Sequence, residues 1–284
     1  MGLTPVFELT SGAGDLPKLT LVAPDGARAE IYLYGAHVVS WVPAGGQDRL
    51  FLSRASQFRS GAPIRGGIPV AFPQFGAFGP LPLHGLARLM LWEFVGADTV
   101  RDQASAVFRL HDTETSRELW PHPFQAELTV SIGGNRLQTT LAVTNPGAEP
   151  FSFTAALHTY LGVSEISRTV IKGLTGLTYR DSAAGGVHKR ETAPQVDFTG
   201  EVNRTYFAAP ADTLLVTPES TTIIRKAGFS DIVVWNPGAE KCAAMPDLEP
   251  DDYRRFVCVE AVTVAEPVQL APGKRWQGSQ TLLA

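Results

Sequence analysis

The runs Gln125-Ala126-Glu127-Leu128-Thr129-Val130-Ser131-Ile132 and Leu137-Gln138-Thr139-Thr140-Leu141-Ala142-Val143-Thr144 decide the fold class. Both are rich in β-branched and apolar residues, and the second alternates with the period of a half-buried strand. Gly133-Gly134-Asn135 separates them, and Asn145-Pro146-Gly147 closes the second. Short strand-like runs around such turns read as antiparallel hairpins.

Working outward, the same unit recurs. Upstream lie Leu19 to Ala23, Ala29 to Tyr34, His37 to Val42, Leu91 to Val95 (ended by Gly96-Ala97-Asp98) and Ala106 to Leu110. Downstream lie Phe151 to Val163, Thr169 to Ile171, Thr213 to Val216, Thr221 to Lys226, Ile232 to Trp235 and Phe256 to Val264. Helix signals are confined to Glu114 to Leu119 and Glu249 to Phe256. The polar stretch from Asp181 to Asp197 reads as a loop. So many short strands predict an all-β protein, a large antiparallel β-sandwich, in one domain over residues 1–284.

Composition narrows the function. Of 284 residues, 44% are hydrophobic and 18% charged, which is globular rather than disordered. A net charge of −4 favours neither nucleic acid nor an anionic membrane as partner. The cysteines, Cys242 and Cys258, sit among apolar residues and read as reduced core thiols. The N-terminal stretch carries no basic and apolar signal pattern. Met-Gly opens the chain, but Val6 stands where an acylation motif needs Ser or Thr. No run approaches the length of a transmembrane helix, so a soluble, cytoplasmic protein is expected, with a monomer as the default state.

Four stretches carry chemistry. Ile64 to Gly76 and Pro80 to Arg88 hold too much Gly and Pro for a central strand, and too many apolar residues for a solvated loop. A buried irregular loop of this kind lines sites, and Arg65, Gln74, His84 and Arg88 lie within it. Either arginine alone fits a core-edge ion pair; two in one loop favour an anion site, because the guanidinium fork suits phosphate or carboxylate. His158 stands in the apolar run Thr154 to Leu161, either as a satisfied core residue or as an acid–base group. Glu260 stands inside Phe256-Val257-Cys258-Val259-Glu260-Ala261-Val262. Alternation puts Phe256, Cys258 and Glu260 on one face, both faces are apolar, and a buried carboxyl has a raised pKa useful for proton transfer. Asp231 opens the strand that ends at Trp235-Asn236-Pro237, as a turn residue or a ligand contact. Phosphate-binding loops, nucleophile elbows and dinucleotide fingerprints are missing, and the scattered histidines lack zinc-site spacing. Neither a metal nor a cofactor is expected.

Arg65-Gly66-Gly67-Ile68-Pro69, Phe72-Pro73-Gln74-Phe75-Gly76, His84-Gly85-Leu86-Ala87-Arg88, Leu157-His158-Thr159-Tyr160, Asp231 to Pro237 and Val257-Cys258-Val259-Glu260 occur in this order. In these six motifs the chain resembles the hexose-6-phosphate mutarotases (glucose-6-phosphate 1-epimerases) of the galactose-mutarotase-like group, from about Phe7 to Leu283. The resemblance implies a β-supersandwich that interconverts the anomers of a phosphorylated hexose, with no cofactor. It implies His158 and Glu260 as catalytic residues and Arg65 and Arg88 as phosphate contacts. It places His84 and Asp231 near the sugar. Leu83, Asn203 and Gly238 depart from the family pattern, where Gln, Asp and Trp are common. Anomerisation requires proton removal from the C1 hydroxyl and proton delivery to the ring oxygen. Glu260 is assigned the first role and His158 the second, on opposite sides of the reacting centre. Gln74 is grouped with the substrate contacts, and Trp41 or Trp235 could offer a face to the ring. An epimerase for free hexoses, a non-catalytic sugar sensor and a polysaccharide-binding module are the competing readings.

Overall fold

The computed structural model describes residues 6–284; residues 1–5, which include the Met-Gly start, lie outside the described residues. The founding hairpin forms as expected. Gln125–Gly133 and Arg136–Thr144 pair antiparallel from Gly133↔Arg136 to Gln125↔Thr144. Ala126, Leu128, Val130 and Ile132 point inward against Leu137, Leu141 and Val143. Buried and exposed positions therefore alternate as the sequence alternates.

Three antiparallel sheets are built from such pairs. Phe7–Ser11, Pro17–Val22, Arg28–Tyr32 and His37–Val42 form a four-stranded sheet in chain order. The second sheet runs Val187–Arg190, Thr178–Asp181, Val202–Tyr206, Asp231–Asn236, Phe256–Leu270, Phe151–Leu157 and Val70–Ala71, with Tyr160–Gly162 also on Phe256–Leu270. The third runs Val170–Lys172, Asp212–Val216, Thr221–Ala227, Arg275–Leu283, Arg136–Thr144, Gln125–Gly133, Gln103–His111 and Glu93–Val100. Side chains from all three enter one hydrophobic cluster, which includes Leu21, Ile31, Phe108, Leu128, Val143, Leu157 and Val259. Burying each such side chain contributes about 1.5–3 kcal/mol.

The strand Phe256–Leu270 is apolar on both faces because two clusters need it. Val257, Val259 and Ala261 enter the main core. Phe256, Cys258 and Val262 enter a second cluster with Phe51, Phe75, Tyr160 and Trp235. Glu260 shares that second face, as alternation requires.

Several elements differ from expectation. Phe151 to Val163 is not one strand. Leu157 still pairs with Val70 and Ala261, and Tyr160 pairs with Cys258. Between them the Thr159 N–H donates to Leu157 O and interrupts the strand, but the register against Phe256–Leu270 is kept, so His158 stands at the position opposite Glu260. The expected turn at 96–98 is strand, because a bulge between Phe94 and Gly96 absorbs the irregularity. Glu114–Leu119 is helical, capped by Thr113 and Ser116. Glu249 to Phe256 yields only the 3₁₀ turn Asp252–Arg254. The stretch from Asp181 to Asp197 holds the strand Val187–Arg190, and Gly238–Ala244 is an unforeseen short helix.

Candidate active site

The loop from residue 64 to 88 packs backbone against backbone. Gly67 has φ +60°, and a Cβ there would stand 2.1 Å from Val38 O. Gly85 has φ +72°, and its Cβ would stand 2.4 Å from Phe72 O. Both positions need glycine's missing side chain and positive φ. Gln74 pins the loop's outer turn: its Nε2 donates to Gly76 O and Leu81 O, and its Oε1 accepts from Leu81 N. His84 adopts φ +63°, a strained conformation for a non-glycine residue.

His158 and Glu260 meet where the broken strand crosses Phe256–Leu270. His158 Nε2 lies 3.4 Å from Glu260 Oε1. The two groups stand side by side. The His158 ring stacks on Tyr160 at 4.9 Å between centroids and meets the His84 ring edge-on at 5.1 Å. Glu260 is 1% exposed, and its Oε2 has no hydrogen-bond partner among the described residues. Burial raises the Glu260 carboxyl pKa well above the ordinary range. Burial lowers the His158 imidazole well below its ordinary value, and His84, Arg65 and Arg88 add repulsion. Both shifts favour the neutral forms, a carboxyl that keeps its proton and an imidazole that does not gain one.

The surrounding charges are unequal. The Arg65 fork is occupied: Nε and Nη2 donate to Asp247 Oδ2 at 3.0 and 2.8 Å, and Nη1 to the Tyr160 hydroxyl at 2.8 Å. Burial opposes the Arg65 charge, but Tyr160 and Asp247 outweigh it and raise its pKa. Arg88 is 9% exposed and forms one side-chain hydrogen bond among the described residues, from Nη2 to Leu83 O at 2.6 Å. Its pKa is lowered to about 10, chiefly by burial, so it stays charged at neutral pH. The backbone N–H of Gly76 donates to His84 Nδ1 at 3.3 Å, which leaves Nε2 as the donor of a neutral ring. Burial and the two arginines lower the His84 pKa to about 3.

A cavity of about 400 Å³ opens over the pair, within the size range of small-molecule sites. Arg65, His84, His158 and Glu260 line it. Arg88 does not line it, but holds the carbonyl of Leu83, which does. Gln74 and Asp231 also lie off the lining. Asp231, 1% exposed, accepts from the backbone N–H groups of Ala208, Val264 and Ala265. Of the two tryptophans, Trp235 lines the cavity and Trp41 is wholly buried in the core. Sequence reasoning did not reach Arg180, Ser182, Thr205 and Lys241, which complete the wall with Asn203. Alternation along Val202–Tyr206 puts Asn203 and Thr205 on one face and could have found that pair. Arg180 instead depends on the unforeseen hairpin with Val187–Arg190.

Although sequence spacing pointed to no metal site, folding brings one ligand atom each of His158, Cys258 and Glu260 within 4.8 Å of one another. Among the described residues no helix is long and apolar enough to cross a membrane.

Known proteins resemble this chain in sequence and in fold. The family model described as aldose 1-epimerase matches residues 17–283. A Cenchrus ciliaris protein provisionally named glucose-6-phosphate 1-epimerase is 35% identical over 99% of this chain and 88% of its own length. An Escherichia coli K12 protein with the same provisional name is 32% identical over 91% of this chain and 88% of its own. The crystal structure of a provisionally assigned mutarotase from Salmonella typhimurium superposes with a TM-score of 0.90 at 29% identity, covering 99% of this chain and 94% of that one.

Proposed function

The chain belongs to the aldose 1-epimerase family, and on that premise we propose that it interconverts the α and β anomers of glucose 6-phosphate through His158 and Glu260. The two reacting oxygens of a hexose, the C1 hydroxyl and the ring oxygen, are bonded to the same carbon. An acid and a base 3.4 Å apart therefore reach both from one side of the cavity. The proton that the Glu260 carboxyl keeps is the one the reaction moves. With that proton on His158, Glu260 takes the C1 hydroxyl proton while His158 protonates the ring oxygen. The C1 oxygen becomes the aldehyde, and the ring C1–O bond breaks. Rotation about C1–C2 and closure by the reverse transfers give the other anomer. Each proton transfer contributes on the order of 10²–10⁴-fold. His84 Nε2–H, Asn203 and Ser182 offer hydrogen bonds to hydroxyls, which orient the ring.

The observation that carries the phosphate reading is Arg88. A buried guanidinium bonded only to a carbonyl among the described residues is an unbalanced charge. It stands close enough to Arg65 and Asp247 to feel their charges. Arg65 on the cavity wall and Arg88 behind Leu83 make that side of the cavity cationic, which favours a phosphate on C6, next to the ring oxygen that His158 protonates. The substrate is a small sugar ester, confined by its charge to the compartment where sugars are phosphorylated, the cytoplasm. All assigned residues come from one copy of the chain, so a monomer suffices.

One observation favours a free hexose instead: Asp247 and Tyr160 already fill the Arg65 fork. Arg88→Ala distinguishes the two. Under the phosphate reading it raises KM for glucose 6-phosphate and leaves exchange of free glucose unchanged. Equal effects on both sugars would favour the free-hexose reading.

A further inference from the structure

We propose that His158, Cys258 and Glu260 form a binding site for zinc or a similarly thiophilic divalent cation, and that occupancy blocks the reaction. Blockage rests on the acid–base roles given above; binding does not.

The donors are imidazole nitrogen, thiol sulfur and carboxylate oxygen, a set that zinc accepts. One atom from each lies within 4.8 Å of the others. Tetrahedral zinc bonds of about 2.0–2.3 Å imply ligand separations of roughly 3.3–3.8 Å. His158 Nε2 and Glu260 Oε1 already stand at 3.4 Å, so only the sulfur must close in. Strand geometry sets the rest. Cys258 and Glu260 are two apart on one face, with Tyr160 and Trp235 opposite Cys258 and Val233 opposite Glu260. His158 reaches them from the neighbouring strand, at the register position opposite Glu260 between Leu157↔Ala261 and Tyr160↔Cys258.

Two further features point to a ligand. Glu260 Oε2 is buried without a partner among the described residues. The Cys258 thiol is free and fully buried, and it has no hydrogen bond among the described residues, whereas the Cys242 thiol donates to Glu249 O. The buried carboxyl oxygen is costly to leave unpartnered, and the free thiol beside it is available as a ligand. His158 and Glu260 line the cavity and Cys258 lies beneath them, so the cation enters by the sugar's route. When the thiol and carboxyl are protonated, binding of one M²⁺ releases both protons to solvent, and the resulting complex is neutral. That neutrality suits the neighbours: Arg65 is balanced by Asp247, Tyr160 and His84 are uncharged, and Arg88 is cationic. Cys258 takes no part in the acid–base steps, which makes it the separable member of the set.

The test uses the whole protein and the metal alone. Cobalt(II) titration is expected to produce a near-ultraviolet sulfur-to-cobalt charge-transfer band that zinc abolishes. Zinc is expected to inhibit anomer exchange in competition with the sugar phosphate, and a chelator to reverse it. Cys258→Ala and Cys258→Ser are expected to keep the basal rate and lose the band. Their zinc inhibition constant should rise by at least about tenfold, the scale on which even indirect partners of a metal ligand act. A wild-type protein without the band overturns the proposal, whatever the variants do. So does a folded Cys258→Ala protein inhibited as strongly as wild type. A band in a protein that never accelerates exchange supports the metal site and overturns the epimerase assignment instead.

Discussion

Glu260 and His158 are pushed in opposite directions by the same burial, and this gives them separate signatures. Glu260→Gln should reduce anomer exchange by on the order of 10²–10⁴-fold, as removal of one proton-transfer group does. The amide resembles the neutral carboxyl that burial favours, so the variant should fold. Its stability relative to wild type should improve as pH rises above the ordinary carboxyl value of 4.5, where the unfolded glutamate ionises and the buried one does not. Urea denaturation at several pH values checks this. The histidines act with the opposite sign. His37 is buried, with Nε2 2.7 Å from Gly66 O, and burial lowers its pKa to about 4. The unfolded chain takes up protons below about pH 6.5 that folded His37 refuses until about pH 4. Stability should fall across that window, with roughly 3 kcal/mol from His37 alone. His158 and Glu260 were legible because a titratable group amid apolar strand residues is costly. Gln74 lay in the loop that the sequence marks as site-forming but serves the loop's own hydrogen bonds, a distinction that only tertiary contacts make.

Elements explain where the chemistry sits. Phe256–Leu270 had to be found from its doubly apolar pattern, and its alternation placed Glu260 on the Cys258 face. The break after Leu157 was not legible, because Phe151 to Val163 reads as continuous strand and the interruption is a local backbone bond from Thr159 N–H to Leu157 O. Asp231 belongs to this scale. Its carboxylate holds the Ala208, Val264 and Ala265 N–H groups, tying the start of its strand to the turn after Val202–Tyr206 and to the neighbouring long strand. Asp231→Ala should cost about 3 kcal/mol or more, since it leaves buried donors unsatisfied. The kcat of the folded fraction should stay near wild type. Chemical denaturation and exchange kinetics measured together separate this from a direct role at the sugar, which would lower kcat at unchanged stability.

At the scale of the molecule, three sheets around one core leave a single-chain cavity whose floor is neutral and whose loop side is cationic. The all-β architecture was legible from repeated strand–turn units, each reporting its own buried face. The far wall was not, because Arg180, Ser182 and Lys241 reach the cavity through a hairpin and a short helix with no periodic signal of their own. On the phosphate reading, the unbalanced Arg88 behind Leu83 makes the cavity selective through its charge, and Arg88→Ala should raise KM for glucose 6-phosphate by about tenfold while sparing glucose, a loss of about 1.4 kcal/mol. The most direct measurement is anomer exchange of glucose 6-phosphate by NMR saturation transfer, with wild type and Glu260→Gln side by side and the spontaneous rate subtracted. Acceleration by wild type that vanishes in Glu260→Gln is the expected result. No acceleration by wild type, or undiminished acceleration by a folded Glu260→Gln protein, would contradict the assignment of this site.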